Sequence, residues 1–326
     1  MNQFQKHYLV TGGAGFIGSH VIKSLLKDES VRVTCIDNFD PFYKRAIKLE
    51  NIAPFKDHPN FRLLELDLDQ PEDSLEEALP GPLDAIIHLA ARAGVRPSIE
   101  NPMAYVQTNI VGTQRLLDLA VEKKVKKFVF ASSSSVYGVN KNLPWQEDEK
   151  LQPISPYAMT KLSGEMAGHV YNKLYNLPFI ALRFFTVYGP AQRPDLAIHN
   201  FVKSVYNEQP IKMFGDGSTS RDYTYVDDIV QGILGALHYD KTSFEIINLG
   251  NSDTISLKEL IEAIEETVGK KAIINRLPEQ PGDVPHTYAD VSKAKALLNY
   301  QPHTHIREGL RHFYQWFLQN REVLVH

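Results

Sequence analysis

The chain has 326 residues, of which 43% are hydrophobic and 23% charged, and these globular values exclude a disordered chain. Its 35 Lys and Arg and 39 Asp and Glu give a net charge of -4. This balance gives no electrostatic reason to bind nucleic acid or an anionic membrane. The single cysteine, Cys35, excludes an intramolecular disulfide and a zinc–thiolate cluster, and it fits a reducing cytoplasm. The sequence predicts neither a membrane-spanning segment nor a metal site.

Short apolar runs alternate with amphipathic stretches through the first half of the chain. The runs are rich in β-branched or aromatic residues, and each is followed by a loop, so they predict strands at 8–10, 31–36, 61–66, 85–89, 128–130 and 179–182. Helical spacing of apolar residues predicts helices at 16–27, 104–124, 256–268 and 306–318. Strands that alternate with helices favour the α/β class, with a Rossmann-type doubly wound parallel sheet covered on both faces.

The second half is less regular and is punctuated by prolines. Ser256 and Glu259 fit a capping box at the start of a helix. We expect residues 1–185 to form a nucleotide-binding Rossmann domain and residues 186–326 to form mainly a smaller α/β substrate-binding domain. The chain is expected to cross back to the first domain at about 225–250.

A glycine-rich turn, residues 11–18 (TGGAGFIG), follows the first predicted strand and opens the first predicted helix. Glycine permits a tight turn there and lets the backbone approach a pyrophosphate at the helix N-terminus. The second predicted strand ends at Asp37, about twenty residues on, where an acid accepts hydrogen bonds from the adenosine ribose. The spacing predicts a dinucleotide site, and Asp37 would repel a 2'-phosphate, which favours NAD over NADP. A purely structural glycine turn is the alternative.

A tyrosine and a lysine share one face of another predicted helix, which Ser155 and Pro156 begin. Tyr157 and Lys161 are four residues apart. A nearby ammonium and a positive nicotinamide ring would lower the pKa of the phenol and make it a base. The alternative is an exposed helical pair. The hydroxyls of 132–135 follow a predicted strand, so they either face a ligand crevice or form a polar turn.

Together these elements resemble the extended short-chain dehydrogenase/reductase superfamily over nearly the whole chain, and within it the nucleotide-sugar 4-epimerases. Further stretches that carry the resemblance are His88-Leu89-Ala90-Ala91, Asn109-x-x-Gly112-Thr113, Arg221 to Asp228 and Asn248-Leu249-Gly250. The resemblance implies a catalytic triad of Ser133, Tyr157 and Lys161. It also implies that NAD contacts Tyr157, Lys161, Gly12, Gly15, Phe16, Ile17, Gly18, Asp37, Asn38, Asp67, Leu68, Leu89, Ala90, Ala91 and Asn109.

The chain resembles UDP-glucuronate 4-epimerases in particular at 93–96, 184–190, 193–195 and 280–285. The resemblance implies that Asn200, Arg221 and Asp283 hold the nucleotide half of a UDP-sugar. A uronate carboxylate needs hydrogen-bond donors, because burying it unpaired would cost several kcal/mol. Candidate donors are Ser134, Ser135, Thr186 and Arg193. Alternatively, Arg193 binds only phosphate and the hydroxyls cap turns.

Sugar-nucleotide 4,6-dehydratases carry Thr-Asp-Glu where this chain has Ser133-Ser134-Ser135, so it lacks the carboxyl group that dehydration needs there. We therefore expect an NAD-dependent isomerase that inverts C4 of UDP-glucuronate through a 4-keto intermediate. The alternatives are a 4-epimerase of UDP-glucose or its N-acetyl form, a dehydratase or reductase, and a non-catalytic NAD-sensing protein. The resemblance also implies a homodimer, formed by the helices that start near Ala104 and Pro156.

Overall fold

A computed structural model describes residues 6–70, 75–278 and 284–325 of the chain. Its strands are β1 (Lys6–Thr11), β2 (Val31–Ile36), β3 (Phe61–Leu64), β4 (Ala85–His88), β5 (Lys127–Ser133), β6 (Phe179–Phe184), β7 (Thr186–Tyr188), β8 (Pro210–Phe214), β9 (Ser220–Arg221), β10 (Tyr223–Tyr225), β11 (Phe244–Leu249), β12 (Ile255–Ser256) and β13 (Ile273–Leu277). Its α-helices are α1 (Phe16–Leu25), α2 (Arg45–Ile52), α3 (Leu75–Ala78), α4 (Val95–Glu100), α5 (Pro102–Val106), α6 (Gly112–Glu122), α7 (Pro156–Tyr175), α8 (Ala197–Tyr206), α9 (Val226–His238), α10 (Leu257–Val268), α11 (Ser292–Leu298) and α12 (Ile306–Val325).

Seven parallel strands form the central sheet, in the order β11-β6-β5-β4-β1-β2-β3. This arrangement confirms the predicted Rossmann-type α/β fold. The connections reverse direction between β1 and β4, and in such sheets ligands bind at that switch point, beyond the carboxyl ends of the strands. All six strands predicted in the first half are present, with ends that differ by at most a few residues.

The helix predicted over 104–124 is interrupted. The structure has α5, then a π-helical turn at Gln107–Val111, then α6. A π turn inserts a residue without changing the local apolar composition, so hydrophobic spacing predicted one continuous helix. Asn109 lies in this π-helical turn and is buried.

Smaller elements follow β6. Two parallel strand pairs, β7 with β10 and β8 with β13, and the antiparallel pair β9 with β12 lie outside the large sheet. The capping box predicted at Ser256 and Glu259 is confirmed, and it starts α10, which packs against α8 and α12. The chain returns to the large sheet through α9 and β11. The proposed division into two domains remains a prediction.

Helix α7 lies unusually close to β5. A methyl group at Gly164 would overlap the ring of Phe130, so only glycine permits this approach. Phe130 stacks on Phe179 of β6 with ring centroids 5.9 Å apart, in the buried core between sheet and helix. This packing fixes the position of α7 relative to the end of β5. Within the residues described, no helix is long and apolar enough to cross a membrane.

Candidate active site

A cavity of about 480 Å³ opens at the carboxyl edge of the sheet, where β1, β2, β4 and β5 end. This is the switch point of the strand order, where ligand sites of doubly wound sheets occur. The predicted site residues that line it are Gly12, Gly15, Phe16, Ile17, Gly18, Asp37, Asn38, Asp67, Leu68, Leu89, Ala90, Ala91, Ser133, Ser134, Ser135, Tyr157, Lys161, Thr186 and Arg193.

The glycine turn forms one wall of the cavity. Gly12 has a φ of 69°, and a Cβ there would lie 2.7 Å from the Ala90 nitrogen, so glycine is required. Gly15 is the N-cap of α1, and no side chain caps this helix within the described chain. Its first peptide N–H groups therefore remain available to an anion, which the positive end of the helix also favours. The turn fits the pyrophosphate of a dinucleotide.

Asp37 is placed at the end of β2 and is almost fully buried. Its carboxylate accepts hydrogen bonds from the Ala14 nitrogen at 3.1 Å, the Phe39 nitrogen at 2.9 Å and the Lys48 ammonium at 3.1 Å. A carboxylate offers about four acceptor positions, so one is left for a ribose hydroxyl. Lys48 is equally buried and balances the carboxylate charge. Sequence reasoning missed Lys48, since nothing in its local pattern indicates a pairing with Asp37.

Asn109 lies behind the cavity and does not contribute to its lining. Its amide oxygen accepts from the Arg92 nitrogen at 2.8 Å, and its amide nitrogen donates to the Arg92 oxygen and to Thr160 Oγ1, both at 3.0 Å. The Arg92 guanidinium in turn pairs with Asp40 at 2.5 Å, and both of these residues line the cavity. Asn109 thus holds the loop after β4, and its contact with NAD remains a prediction.

A chain of buried hydrogen bonds through Thr113, His88 and Thr11 also holds the loop after β4. Burial lowers the pKa of His88 to about 3, so the imidazole is neutral. Thr113 Oγ1 donates to the Asn109 oxygen at 2.6 Å, which leaves it to accept from His88 Nε2 at 2.9 Å. His88 Nδ1 therefore accepts from Thr11 Oγ1 at 2.7 Å, and that hydroxyl accepts from the Ala90 nitrogen at 3.3 Å.

Ser133 is the last residue of β5. Its Oγ accepts from the Ser135 nitrogen at 3.2 Å and from the Ser135 hydroxyl at 2.9 Å. A serine hydroxyl has two acceptor positions and one proton, so both acceptor positions are filled. The remaining proton is free to be donated, and the Ser133 side chain acts on the Tyr157 hydroxyl, whose pKa it lowers. Ser135 therefore orients Ser133, and its candidate role as a donor to the substrate carboxylate stays a prediction.

Tyr157 lies in the first turn of α7, which Ser155 caps through a 3.1 Å bond to the Ala158 nitrogen. Burial raises the pKa of Tyr157, while the bond from Ser133 and the charge of Arg193 act in the opposite direction. In the protein without a cofactor, desolvation of the phenolate is the largest effect on this pKa, and the expected lowering, which includes the positive nicotinamide ring, stays a prediction.

Lys161 follows Tyr157 by one helical turn. Its ammonium donates to the Ala131 oxygen at 2.8 Å, and burial lowers the pKa of Lys161 to about 7. Arg193 is a second cation that acts to lower the pKa of Tyr157, and the same effect expected of Lys161 stays a prediction. Lys161 lines the cavity beside Tyr157 and remains available to a ligand hydroxyl.

Arg193 reaches the cavity from the loop after β7. Its guanidinium makes two hydrogen bonds to Asp195, at 3.0 and 2.7 Å, and lies 5.3 Å from the ring centroid of Phe42. Burial opposes its charge, but Asp195 holds the pKa of Arg193 above the ordinary value. The charge of Arg193 is thus already paired.

Two predicted substrate contacts, Asn200 and Arg221, are not among the described residues that line this cavity. Asn200 donates to the Asp195 oxygen at 3.0 Å, and Arg221 donates to the oxygens of Ser220 and Pro285, each at 2.9 Å. Asp283 lies outside the described residues, as does the rest of 279–283. The roles of these three residues remain predictions.

Carboxylates and hydroxyls are segregated along the cavity. Among the described lining residues, the acidic ones are Asp37, Asp40 and Asp67, all from loops that follow β2 or β3. Ser134, which follows β5, and Thr186, which begins β7, line the same cavity as Tyr157, and neither hydroxyl is hydrogen bonded within the described residues. The end of the cavity that holds Tyr157 can remove a proton from an alcohol and hold an anion, but it lacks the carboxylic acid that elimination of water needs.

Comparisons with known proteins relate the chain to enzymes that act on nucleotide sugars. Residues 9–313 match the family model described as GDP-mannose 4,6 dehydratase. The UDP-glucuronate 4-epimerase of Thermodesulfobacterium geofontis is 44% identical over 322 residues, which cover 98% of each chain. The crystal structure of UDP-glucuronic acid 4-epimerase from Bacillus cereus in complex with UDP-glucuronic acid and NAD is similar at a TM-score of 0.90 and 39% identity, covering 96% of this chain and 99% of that one. The UDP-N-acetylglucosamine 4-epimerase from Methanobrevibacter ruminantium is 33% identical, with a TM-score of 0.89 over 97% and 99% of the two chains.

Proposed function

Because the chain belongs to the family that the GDP-mannose 4,6 dehydratase model describes, and its relatives include UDP-glucuronate 4-epimerases, we propose that it is an NAD-dependent UDP-glucuronate 4-epimerase. The resemblance to nucleotide-sugar 4-epimerases is confirmed. The observation that carries the proposal is the wall of hydroxyls beside Tyr157, in an end of the cavity that has no carboxyl group among its described residues. This composition disfavours the dehydratase alternative, although the family takes its name from such an enzyme.

The described residues fit NAD. The glycine turn and the uncapped start of α1 would hold the pyrophosphate, and Asp37 would accept a bond from the adenosine ribose. Lys161 would donate to the nicotinamide ribose. When bound, NAD supplies a hydride acceptor that the protein itself lacks. The cofactor returns to its starting state in each cycle, so the purified protein should carry roughly one dinucleotide per chain.

Tyr157 moves the proton in this reaction. Its oxygen accepts the proton of the sugar 4-hydroxyl as C4 is oxidised, and it returns that proton after the 4-keto sugar has turned its other face inward. Ser133 donates toward the same oxygen, so it steadies the phenolate and the substrate oxygen. Arg193 adds a positive field that opposes the effect of burial, and the positive nicotinamide ring would act in the same direction and favour the phenolate.

The uronate carboxylate needs donors, and Ser134 and Thr186 offer them. Both residues line the same cavity as Tyr157, and neither hydroxyl has a hydrogen-bond partner in the described chain. Arg193 is a weaker candidate because Asp195 already pairs its charge. A hydroxyl pair can hold the carboxylate at a fixed angle, which favours UDP-glucuronate over the neutral UDP-glucose.

Separate incubation of the purified protein with UDP-glucuronate and UDP-glucose tests the proposal. Formation of UDP-galacturonate, followed by proton NMR, is expected to be the faster reaction. The matched control is Tyr157→Phe, which should be inactive on both sugars. Faster conversion of UDP-glucose would instead favour the neutral-sugar epimerase, and a 6-deoxy-4-keto product from either sugar would favour a dehydratase.

We further propose that the protein is a homodimer. Helix α7 exposes an apolar stripe at helical spacing, with Met166 64%, Val170 47% and Leu174 66% exposed, and Met103 of the neighbouring α5 is 68% exposed. Light scattering should give about twice the chain mass of 36.9 kDa. Met166→Glu with Leu174→Glu should yield the monomer, and a monomeric wild-type protein at micromolar concentration would contradict the proposal. The expected cytoplasmic location remains a prediction.

A further inference from the structure

A buried ion pair lies directly behind the end of β5. Glu165 of α7 and Arg183 of β6 are 2% and 1% exposed, and they are joined by bonds of 2.9 Å from Arg183 Nε and 2.8 Å from Arg183 Nη2. Burial opposes the charge of Arg183, but the bonds to Glu165 raise its pKa above the ordinary value. Such pairs stabilise proteins little, because desolvation offsets the attraction, and apolar replacements are often as stable. Stability alone therefore does not explain this pair.

The ion pair binds the chain on both sides of Ser133. On the N-terminal side of Ser133, the Ser132 hydroxyl donates to Glu165 Oε1 at 2.5 Å. After it, a 3-10 helix runs from Ser134 to Tyr137, and the Tyr137 hydroxyl accepts from Arg183 Nη1 at 2.9 Å. Ser133 therefore lies in a short segment that one ion pair anchors at both ends.

The same pair also fixes the helix that carries the proton acceptor. Tyr157, Lys161 and Glu165 follow one another at intervals of four residues, so they share one face of α7. Arg183 lies in β6, which pairs with β5 beside Ser133. The ion pair thus links the helix that bears Tyr157 to the strand end that bears Ser133.

We propose that Glu165 and Arg183 are positioning residues that set the Ser133 hydroxyl against the Tyr157 oxygen. This inference rests on the proposed function, in which Ser133 and Tyr157 share the transferred proton. The residues that act electrically on the Tyr157 hydroxyl are Ser133 of β5, Arg193 of the loop after β7 and Tyr105 of α5. The ion pair holds both the strand end that bears Ser133 and the helix that bears Tyr157, so loosening the pair should weaken the interaction between these two residues.

The decisive variant is the double substitution Glu165→Leu with Arg183→Met, which replaces the pair by apolar side chains of similar size. Two milder variants each break one anchor, Ser132→Ala before Ser133 and Tyr137→Phe after it. We expect kcat for UDP-glucuronate to fall about tenfold or more, because small displacements of reacting groups have large effects on rate. KM should change by about twofold at most, since substrate contacts are retained.

The pH profile separates positioning from mere stability. The Ser133 bond lowers the pKa of Tyr157, so its loss should move the acidic limb of the kcat profile to higher pH. The control is Lys127→Met, which removes a buried cation bonded to the Tyr239 oxygen at the opposite end of β5. This control should lower the melting temperature without moving the limb.

A folded double variant with the kcat and pH profile of the wild type would overturn the inference. If the double variant is insoluble, Ser132→Ala and Tyr137→Phe test the inference by the same two measurements, kcat and the acidic limb of the pH profile. Wild-type values of both measurements in both variants would overturn the inference. Failure of the proposed function is a separate result, because the wild-type protein would then not convert UDP-glucuronate at all.

Discussion

Thr186→Ala tests the assignment of the sugar's carboxylate most sharply. Thr186 begins β7, where its backbone nitrogen donates to the Asp222 oxygen at 3.1 Å and its strand pairs with β10 at Tyr223. The side chain is half-buried in the cavity wall, and its hydroxyl is not hydrogen bonded within the described chain. The substitution should therefore leave the backbone in place and remove one donor from the substrate.

The magnitude follows from the charge of the partner. A hydrogen bond to a charged group contributes about 1.5–3 kcal/mol, which corresponds to roughly a tenfold to hundredfold change in kcat/KM. UDP-glucose presents a neutral hydroxyl at the same carbon, so its kcat/KM should fall by much less. The ratio of the two constants isolates the carboxylate contact from any general damage to the site.

The assay measures kcat/KM for both sugars in Thr186→Ala, with Thr186→Ser as the control that retains the hydroxyl. A 4-keto uronate is a β-keto acid, which loses carbon dioxide when its carboxylate can align with the carbonyl. A less firmly held carboxylate should therefore yield more UDP-pentose by-product in the alanine variant. An unchanged substrate ratio, together with faster turnover of UDP-glucose by the wild-type protein, would refute the reasoning.

Three further predictions follow from the same cavity. Tyr157→Phe should lower kcat by about a hundredfold or more while UDP-glucuronate still binds in calorimetry, because it removes the proton acceptor but little volume; a near-normal rate would mean that another group carries the proton. Asp37→Ser leaves the Lys48 ammonium unpaired beside the adenosine site, so extracted protein should contain NADP as well as NAD, and exclusive retention of NAD would contradict this role. Burial lowers the pKa of Lys161 to about 7, whereas the pKa of an unfolded lysine is near 10.4. Between these two pH values the unfolded state binds more protons than the folded state. The free energy of unfolding should therefore rise as the pH increases from about 7 to about 10. Urea unfolding of Lys161→Met should lack this component of the slope, and equal slopes would contradict the shift.

Local sequence signals predicted the parts of the fold that local physics determines. The apolar runs placed the strands of the sheet, the capping box at Ser256 started a helix, and the Gly-rich turn and the Tyr157 helix came to one cavity as expected. The π turn at Gln107–Val111 was missed because it alters helical register without altering composition.

Ion pairs between residues that are distant in the sequence were not predicted, for a different reason. Lys48 meets Asp37, and Arg92 meets Asp40, only because the sheet brings their loops together. Glu165 did carry a usable signal, since it continues the four-residue spacing of Tyr157 and Lys161 on one helix face. Its partner Arg183 lies inside an apolar strand and is fully buried. A buried cation requires a buried acid nearby, so Arg183 indicated such a pair, and the sequence analysis did not use this signal.

In the proposed reaction C4 is inverted by removing its hydrogen and returning the same hydrogen to the opposite face. UDP-glucuronate labelled with deuterium at C4, incubated in ordinary water, tests this claim directly. Mass spectrometry and NMR should find UDP-galacturonate with the deuterium still at C4, because a hydrogen that moves as hydride between carbon atoms does not exchange with water. Replacement of the label by solvent hydrogen at C4 would contradict the account, since it would indicate inversion by deprotonation of carbon.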